Sequence, residues 1–221
     1  MDGTGADEGL FPKPLRADAE RNRTLILDTA VRVFAERGLD ATLNDIAHEA
    51  GIGVGTVYRR FADKDELIAA LFATKFELLH ELAIRAESAP DAAQALRDYL
   101  MSAAEARASD RGLMQVLARA VILDSGSEDG RARLTRQVER LVARARLQGG
   151  VRDDFSAADV PILLLMIGTV ADLTRDASPD AWRRYAQIVI DGVRPGADCP
   201  ELCVPPLDAD GILQAMGHAT V

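Results

Sequence analysis

Between Thr42 and Phe61 the sequence reads TLNDIAHEAGIGVGTVYRRF, a stretch that admits few local folds. Thr42 is followed three residues later by Asp45, the spacing of a capping box, where two side chains satisfy backbone amides at a helix start. Ile46, Ala47 and Ala50 make the inner face of that helix. Gly51 stops it, since glycine takes a left-handed conformation without steric cost. Ile52 plugs the corner. A second short helix then runs from Gly53 to Arg60, with Val57 and Phe61 on one face and Thr56, Tyr58, Arg59 and Arg60 on the others. Two short helices about a glycine turn, the second carrying hydroxyls and arginines, make a helix-turn-helix. In that motif the second helix enters the major groove of DNA.

Elsewhere apolar residues recur at three- and four-residue spacing and strand-type alternation is nearly absent, so the predicted fold class is all-α. A chain of 221 residues has room for one or two domains and a real core. Residues 1–20, glycine-rich and acidic, read as a disordered arm. A helix from Arg21 to Arg37 takes its buried face from Leu25, Ile26, Thr29, Ala30, Val33 and Phe34, and Gly38 ends it. Asp63 is placed to cap a long helix that reaches about Ser88. Pro90 marks a boundary, after which 91–107, 112–123 and 128–148 each read as helices. Ser156 and Asp159 repeat the capping spacing ahead of Val160–Val170, a run apolar nearly all round and therefore covered on more than one side. Ser178-Pro179 opens the next helix, which ends at Gly192. Beyond Arg194 proline and glycine are dense. The predicted organisation is an arm (1–20), a three-helix head (21–64), a helical domain reached through the long helix (65–194) and an irregular extension (195–221).

A net charge of −9 argues against a general polyanion binder. Residues 21–64, however, hold seven Arg and Lys against six Asp and Glu, so the acidity lies outside the head. The amino-terminal stretch is acidic where a secretory signal is basic, and Val160–Val170 is too short to span a bilayer. Two cysteines imply no disulfide framework. These features predict a cytoplasmic protein with no membrane partner. His48, His80 and His218 are far apart. Glu77-x-x-His80 is half of a di-iron carboxylate pattern without its second copy. Cys199 and Cys203 are too few for a metal site. No glycine-rich nucleotide loop or nucleophile elbow occurs. The expectation is a non-enzyme with no cofactor and no metal.

From about Arg21 to Leu71 the chain resembles the amino-terminal domain of the TetR family of transcriptional repressors. The resemblance is carried by Ala30 to Gly38, Thr42, Ile46-Ala47, Ala50-Gly51-Ile52, Gly55-Thr56, Tyr58, Phe61, Lys64 and Leu67. It implies a homodimer whose heads bind two half-sites of a palindromic operator and are released by a small-molecule effector. By position in the motif, Thr42 and Asn44 contact backbone or groove, and Val54, Gly55 and Thr56 face bases. Tyr58 and Lys64 clamp phosphates, and Arg59 and Arg60 reach guanine or phosphate. Gly53 and Val54 offer no hydrogen bond, which leaves thymine methyls and Arg60 for base readout.

The resemblance also implies an effector pocket in the carboxy-terminal domain, with Tyr99, Met101, Met114, Met166, Thr169, Asp172 and Trp182 as candidate lining. Low aromatic content, 5%, disfavours a large flat ligand. The resemblance places the dimer interface on the helices at 157–175 and 179–193, with Leu164, Ile167, Val170, Tyr185 and Ile188 as contacts. The all-round apolar run supports this independently, since such a helix can face its own core and a partner together. The alternative function is a helical protein-interaction module without operator binding.

Overall fold

The computed structural model describes residues 13–109, 128–196 and 200–218, and every regular element among them is helical. Helix α1 (Lys13–Arg37) begins at Lys13 rather than Arg21, so residues 13–20 are not part of a disordered arm. Leu15, Arg16, Ala17, Ala19 and Glu20 are good helix formers, and Pro14 sits in the first turn, where its missing N–H costs nothing. Ile26, Ala30, Val33 and Phe34 are buried as their spacing predicts, whereas Leu25 is exposed and Leu27 takes its place. Gly38 turns the chain at φ +69° into a short 3-10 turn, Gly38–Asp40.

Helices α2 (Leu43–Glu49) and α3 (Val54–Tyr58) follow, joined through Gly51 at φ +66°. Helix α4 (Lys64–Glu87) starts at its Asp63 cap, whose carboxylate accepts the Glu66 N–H at 2.8 Å. One hydrophobic core unites these elements. It runs from Ile26 through Ile46 and Val57 to Leu67, Leu71 and Phe72, with Phe76 packed against its edge. The expected domain boundary at 64/65 therefore cuts through the core of the head, because the first two turns of α4 complete it.

The second half of α4 packs with α5 (Ala92–Ser109), α6 (Glu128–Leu147), α7 (Asp159–Thr174) and α8 (Ala181–Asp191). The segment 112–123, expected as a helix, lies outside the described residues. Gly149, at φ +65°, and Gly150 end α6. A Cβ at Gly150 would lie 2.0 Å from the Ala93 Cβ, so only glycine lets this turn meet α5. Helix α8 begins at Ala181, not Pro179, because the 178–180 stretch is a turn in which Ser178 O accepts the Ala181 N–H at 3.1 Å.

Two apolar clusters fill this part. One centres on Leu96, Leu100 and Leu141. The other holds Ala104, Ile167, Trp182 and Ala186. Beside them Arg107 is buried and paired with Asp172 at 3.6 Å, and Gly168 makes room for its guanidinium. The extension is not wholly irregular. Helix α9 (Ala209–His218) forms after Asp208, whose carboxylate accepts the Gly211 N–H at 2.8 Å. Proline density upstream masks a short sequence, ADGILQAMGH, that has its own cap and apolar spacing.

Candidate nucleic-acid interface and effector cavity

The capping box at Thr42 forms in full. Asp45 Oδ2 accepts both the Thr42 amide at 2.8 Å and the Thr42 hydroxyl at 2.6 Å, and the Thr42 Oγ1 accepts the Asp45 N–H at 3.2 Å. These hydrogen bonds hold the Asp45 carboxyl below its ordinary value. Asn44 is exposed beside them. Val57 and Phe61 are buried and fix α3 on the core, which leaves Val54, Gly55, Tyr58, Arg59 and Arg60 exposed on its outer side, with Thr56 half-buried. Arg59 is not fully extended into solvent, since its guanidinium donates to Thr56 Oγ1 at 3.0 Å. Lys64 donates to the Leu39 carbonyl at 2.6 Å. That bond gives a structural reason for a cation in a helix first turn, where the dipole disfavours one. The ammonium keeps two further donors for another acceptor.

In the carboxy-terminal domain α4, α5, α6 and α7 surround a cavity of about 630 Å³. Its walls are mostly apolar: Phe72, Phe76 and Leu79 from α4, Ala103 from α5, Leu134, Val138 and Val142 from α6, Val160 and Leu164 from α7. The α6 wall runs from Arg131 to Arg146, about 22 Å at 1.5 Å per residue, so the space is longer than broad. Tyr99 reaches it as expected. Its ring is buried, and burial pushes its pKa up, so the phenol stays neutral. Among the described residues, Lys75, Arg107, Arg131 and Arg146 outnumber Glu139 and Asp208 around the space. Arg107 is held by Asp172, and Arg146 donates to the Phe155 carbonyl.

The other expected lining residues lie elsewhere. Met101 packs between the two apolar clusters. Trp182 is in the core of one, with the Arg183 guanidinium 4.6 Å from its ring centroid. Asp172 is bonded to Arg175 at 2.8 Å as well as paired with Arg107. Thr169 is exposed and its hydroxyl donates to Leu165 O at 3.0 Å. Met114 lies outside the described residues. The α6 wall was missed altogether, although Leu134, Val138 and Val142 recur at four-residue spacing and mark it.

The partner-facing residues also need correction. Ile167 is only 2% exposed and belongs to the subunit's own core, and Leu164 lines the cavity. Val170 is half-buried against the same cluster as Ile167. Tyr185 at 46%, Ile188 at 57%, Met166 at 51% and Leu173 at 80% are the large apolar residues that α7 and α8 leave exposed. An all-round apolar helix turned its Ile167 side inward and its Met166 side outward, which the run of apolar letters alone does not distinguish.

Among the described residues no helix is long and apolar enough to cross a membrane, and no group of three or more His, Cys, Asp and Glu could hold a metal. Glu77 pairs with Arg133 instead of acting with His80. Cys203 is exposed and free, and Cys199 lies outside the described residues.

Residues 26–71 match the model for bacterial regulatory proteins of the tetR family. Residues 91–195 match the model for the carboxy-terminal domain of SbtR-like transcriptional regulators. An HTH-type transcriptional regulator of Staphylococcus aureus strain USA300 is 46% identical over 54 residues, which is 24% of this chain and 29% of the relative. Such curated relatives are thus matched over less than a third of their length. The crystal structure of the TetR transcriptional regulator SCO0520 from Streptomyces coelicolor is 32% identical, with a TM-score of 0.59, covering 80% of this chain and all of that one. The transcriptional regulator FadR from Bacillus subtilis, solved in complex with stearoyl-CoA, is 17% identical with a TM-score of 0.60, over 78% of this chain and 98% of its own.

Proposed function

The chain belongs to the TetR family of DNA-binding transcriptional regulators, and from that premise we propose that it is a cytoplasmic repressor that binds a palindromic operator as a homodimer and is released by an elongated, mainly apolar small molecule. The observation that carries this reading is the double membership of Phe72. It is buried in the core of the head and lines the cavity, with its ring 6.2 Å from that of Phe76, which touches both as well. A ligand that displaces these rings also disturbs the core that holds Val57 of α3.

Helix α4 has 24 residues and spans roughly 36 Å. A small tilt at its far end moves a head by ångströms, while dimeric recognition helices must sit about 34 Å apart to meet successive major grooves. An effector preference of about 1–3 kcal/mol for the displaced state is enough for a useful switch. Asn44, Val54, Gly55, Thr56 and Arg60 supply groove contacts, and Thr42, Tyr58, Arg59 and Lys64 supply phosphate contacts. Met166, Leu173, Tyr185 and Ile188 supply the partner face.

The test is binding to the DNA upstream of the protein's own gene over a salt series. A specific site with a steep negative salt slope is expected. Binding no tighter than to unrelated DNA would sink the reading. A mass spectrum of the native protein would identify any co-purified effector. In sedimentation, Ile188→Glu should yield monomers that keep full helicity.

A further inference from the structure

The carboxy-terminal segment 200–218 lies beyond the residues matched to the family's carboxy-terminal domain. Its side chains nevertheless stand at the cavity. Leu207, Asp208 and Ile212 line the same space as α4, α5, α6 and α7. We propose that this segment is a detachable wall of the effector cavity, with Leu207 and Ile212 as specificity-determining residues for an elongated apolar ligand. The proposal rests on the effector reading of that cavity.

Three observations support it. First, the segment is anchored beside the loop that precedes α7. The Arg152 guanidinium donates to the Pro200 carbonyl at 2.7 Å, and Asp154 Oδ2 accepts the Leu202 N–H at 2.7 Å while it pairs with Arg152. This anchor sits in the loop just before α7, so it delivers the following residues to the cavity mouth. Second, the chain is shaped on arrival. Asp208 caps α9, which turns its carboxylate to its own helix start and leaves Leu207 and Ile212 as the apolar surface offered to the cavity. Third, the segment is absent from the subunit's core. None of its described residues joins any of the three apolar clusters, and Leu202 and Val204 are largely exposed. A wall that contributes to the cavity and not to the core can leave without unfolding the domain. Ligand then enters and departs past it, and the shape of Leu207 and Ile212 selects which apolar ligand fits.

The test uses the full chain and 1-anilinonaphthalene-8-sulfonate, an apolar anion whose fluorescence rises in such cavities. Stopped-flow release is measured for the wild type, for the doubly substituted Leu207→Ser/Ile212→Ser and for Asp154→Asn. Circular dichroism checks that each retains its helicity. The double variant should release dye about tenfold faster, the scale of losing the apolar contacts of half-buried Ile212 and of Leu207, which is 46% exposed. Asp154→Asn should move release in the same direction by less, since Arg152 still holds Pro200. Amide exchange in 200–218 should slow when dye is bound. Wild-type protein that takes up no dye would overturn the effector reading of the cavity and this inference with it. Dye uptake with release unchanged in both variants, and with exchange in 200–218 unaffected, would overturn this inference alone.

Discussion

The two halves of the molecule solve packing differently. The head closes on one uninterrupted core in which Ile26, Phe34, Ile46, Val57 and Leu67 have almost no exposure. Among the described residues, those of the carboxy-terminal domain divide their apolar side chains into two clusters beside a space of about 630 Å³. A filled core has one arrangement, since dense packing resists displacement. A domain with a void can shift its helices at lower cost. The head is therefore packed to keep a surface fixed, and the body is packed so that its helices can shift at lower cost.

Matched truncations give the largest test of that contrast. Phe34→Ala should destabilise the head by about 3–5 kcal/mol, and Leu164→Ala, whose side chain already borders the void, by about 2 kcal/mol. Urea titration followed by circular dichroism measures both, and equal costs would erase the distinction. The next test asks whether the body is soft throughout. Gly150→Ala drives a methyl into Ala93 and should cost about 1–3 kcal/mol. Adding Ala93→Gly should recover part of it. Gly51→Ala in the head meets no neighbour, but at φ +66° it should cost about 1–2 kcal/mol from backbone strain alone.

A smaller effect separates the halves functionally. Arg60→Ala should weaken operator binding by about 1–3 kcal/mol and relax discrimination at the base it contacts, whereas Lys64→Ala should lower the magnitude of the salt slope by about one. Dye affinity of the cavity should not move. The smallest effect is on pH. The Arg152 guanidinium, helped by the Leu202 N–H, holds the Asp154 carboxyl down from 3.8 to about 2. A depressed carboxyl contributes stability above its unfolded value and loses it as pH falls through the folded one. The anchor of residues 200–218 should thus be intact above about pH 4 and loosen from there to about pH 2. Amide exchange at Leu202 reports it, and Asp154→Asn should abolish the pH dependence.

The same contrast explains what was legible in sequence. In the head, Thr42, Gly51, Val57 and Phe61 each meet a requirement that few residue types satisfy: a cap, a left-handed turn, a corner. Their spacing therefore names the motif. The cavity is built from aliphatic side chains that differ little from core, so Met101, Met166 and Trp182 were as plausible as Leu134 or Val138. Which side of a fully apolar helix faces inward depends on its neighbours, and so Ile167 and Met166 exchanged their expected places. Of the candidates named from the resemblance, Tyr99 lines the space, on the face of α5 that also carries Ala103. Helix α9 was hidden by prolines upstream of a sequence that carries its own cap.

Recombining parts of such proteins to make sensors depends on where the chain is cut. A graft joined at Lys64 would hand over a head without Leu67, Ile68, Leu71 and Phe72, and such a hybrid starts with a quarter of its interior borrowed from a stranger, roughly what four of fifteen buried core residues amount to. A workable joint lies beyond Phe76. Both phenylalanine rings then travel with the amino-terminal donor, and one end of the cavity travels with them. A hybrid cut this way takes one end of its cavity wall from the parent chosen only for its head.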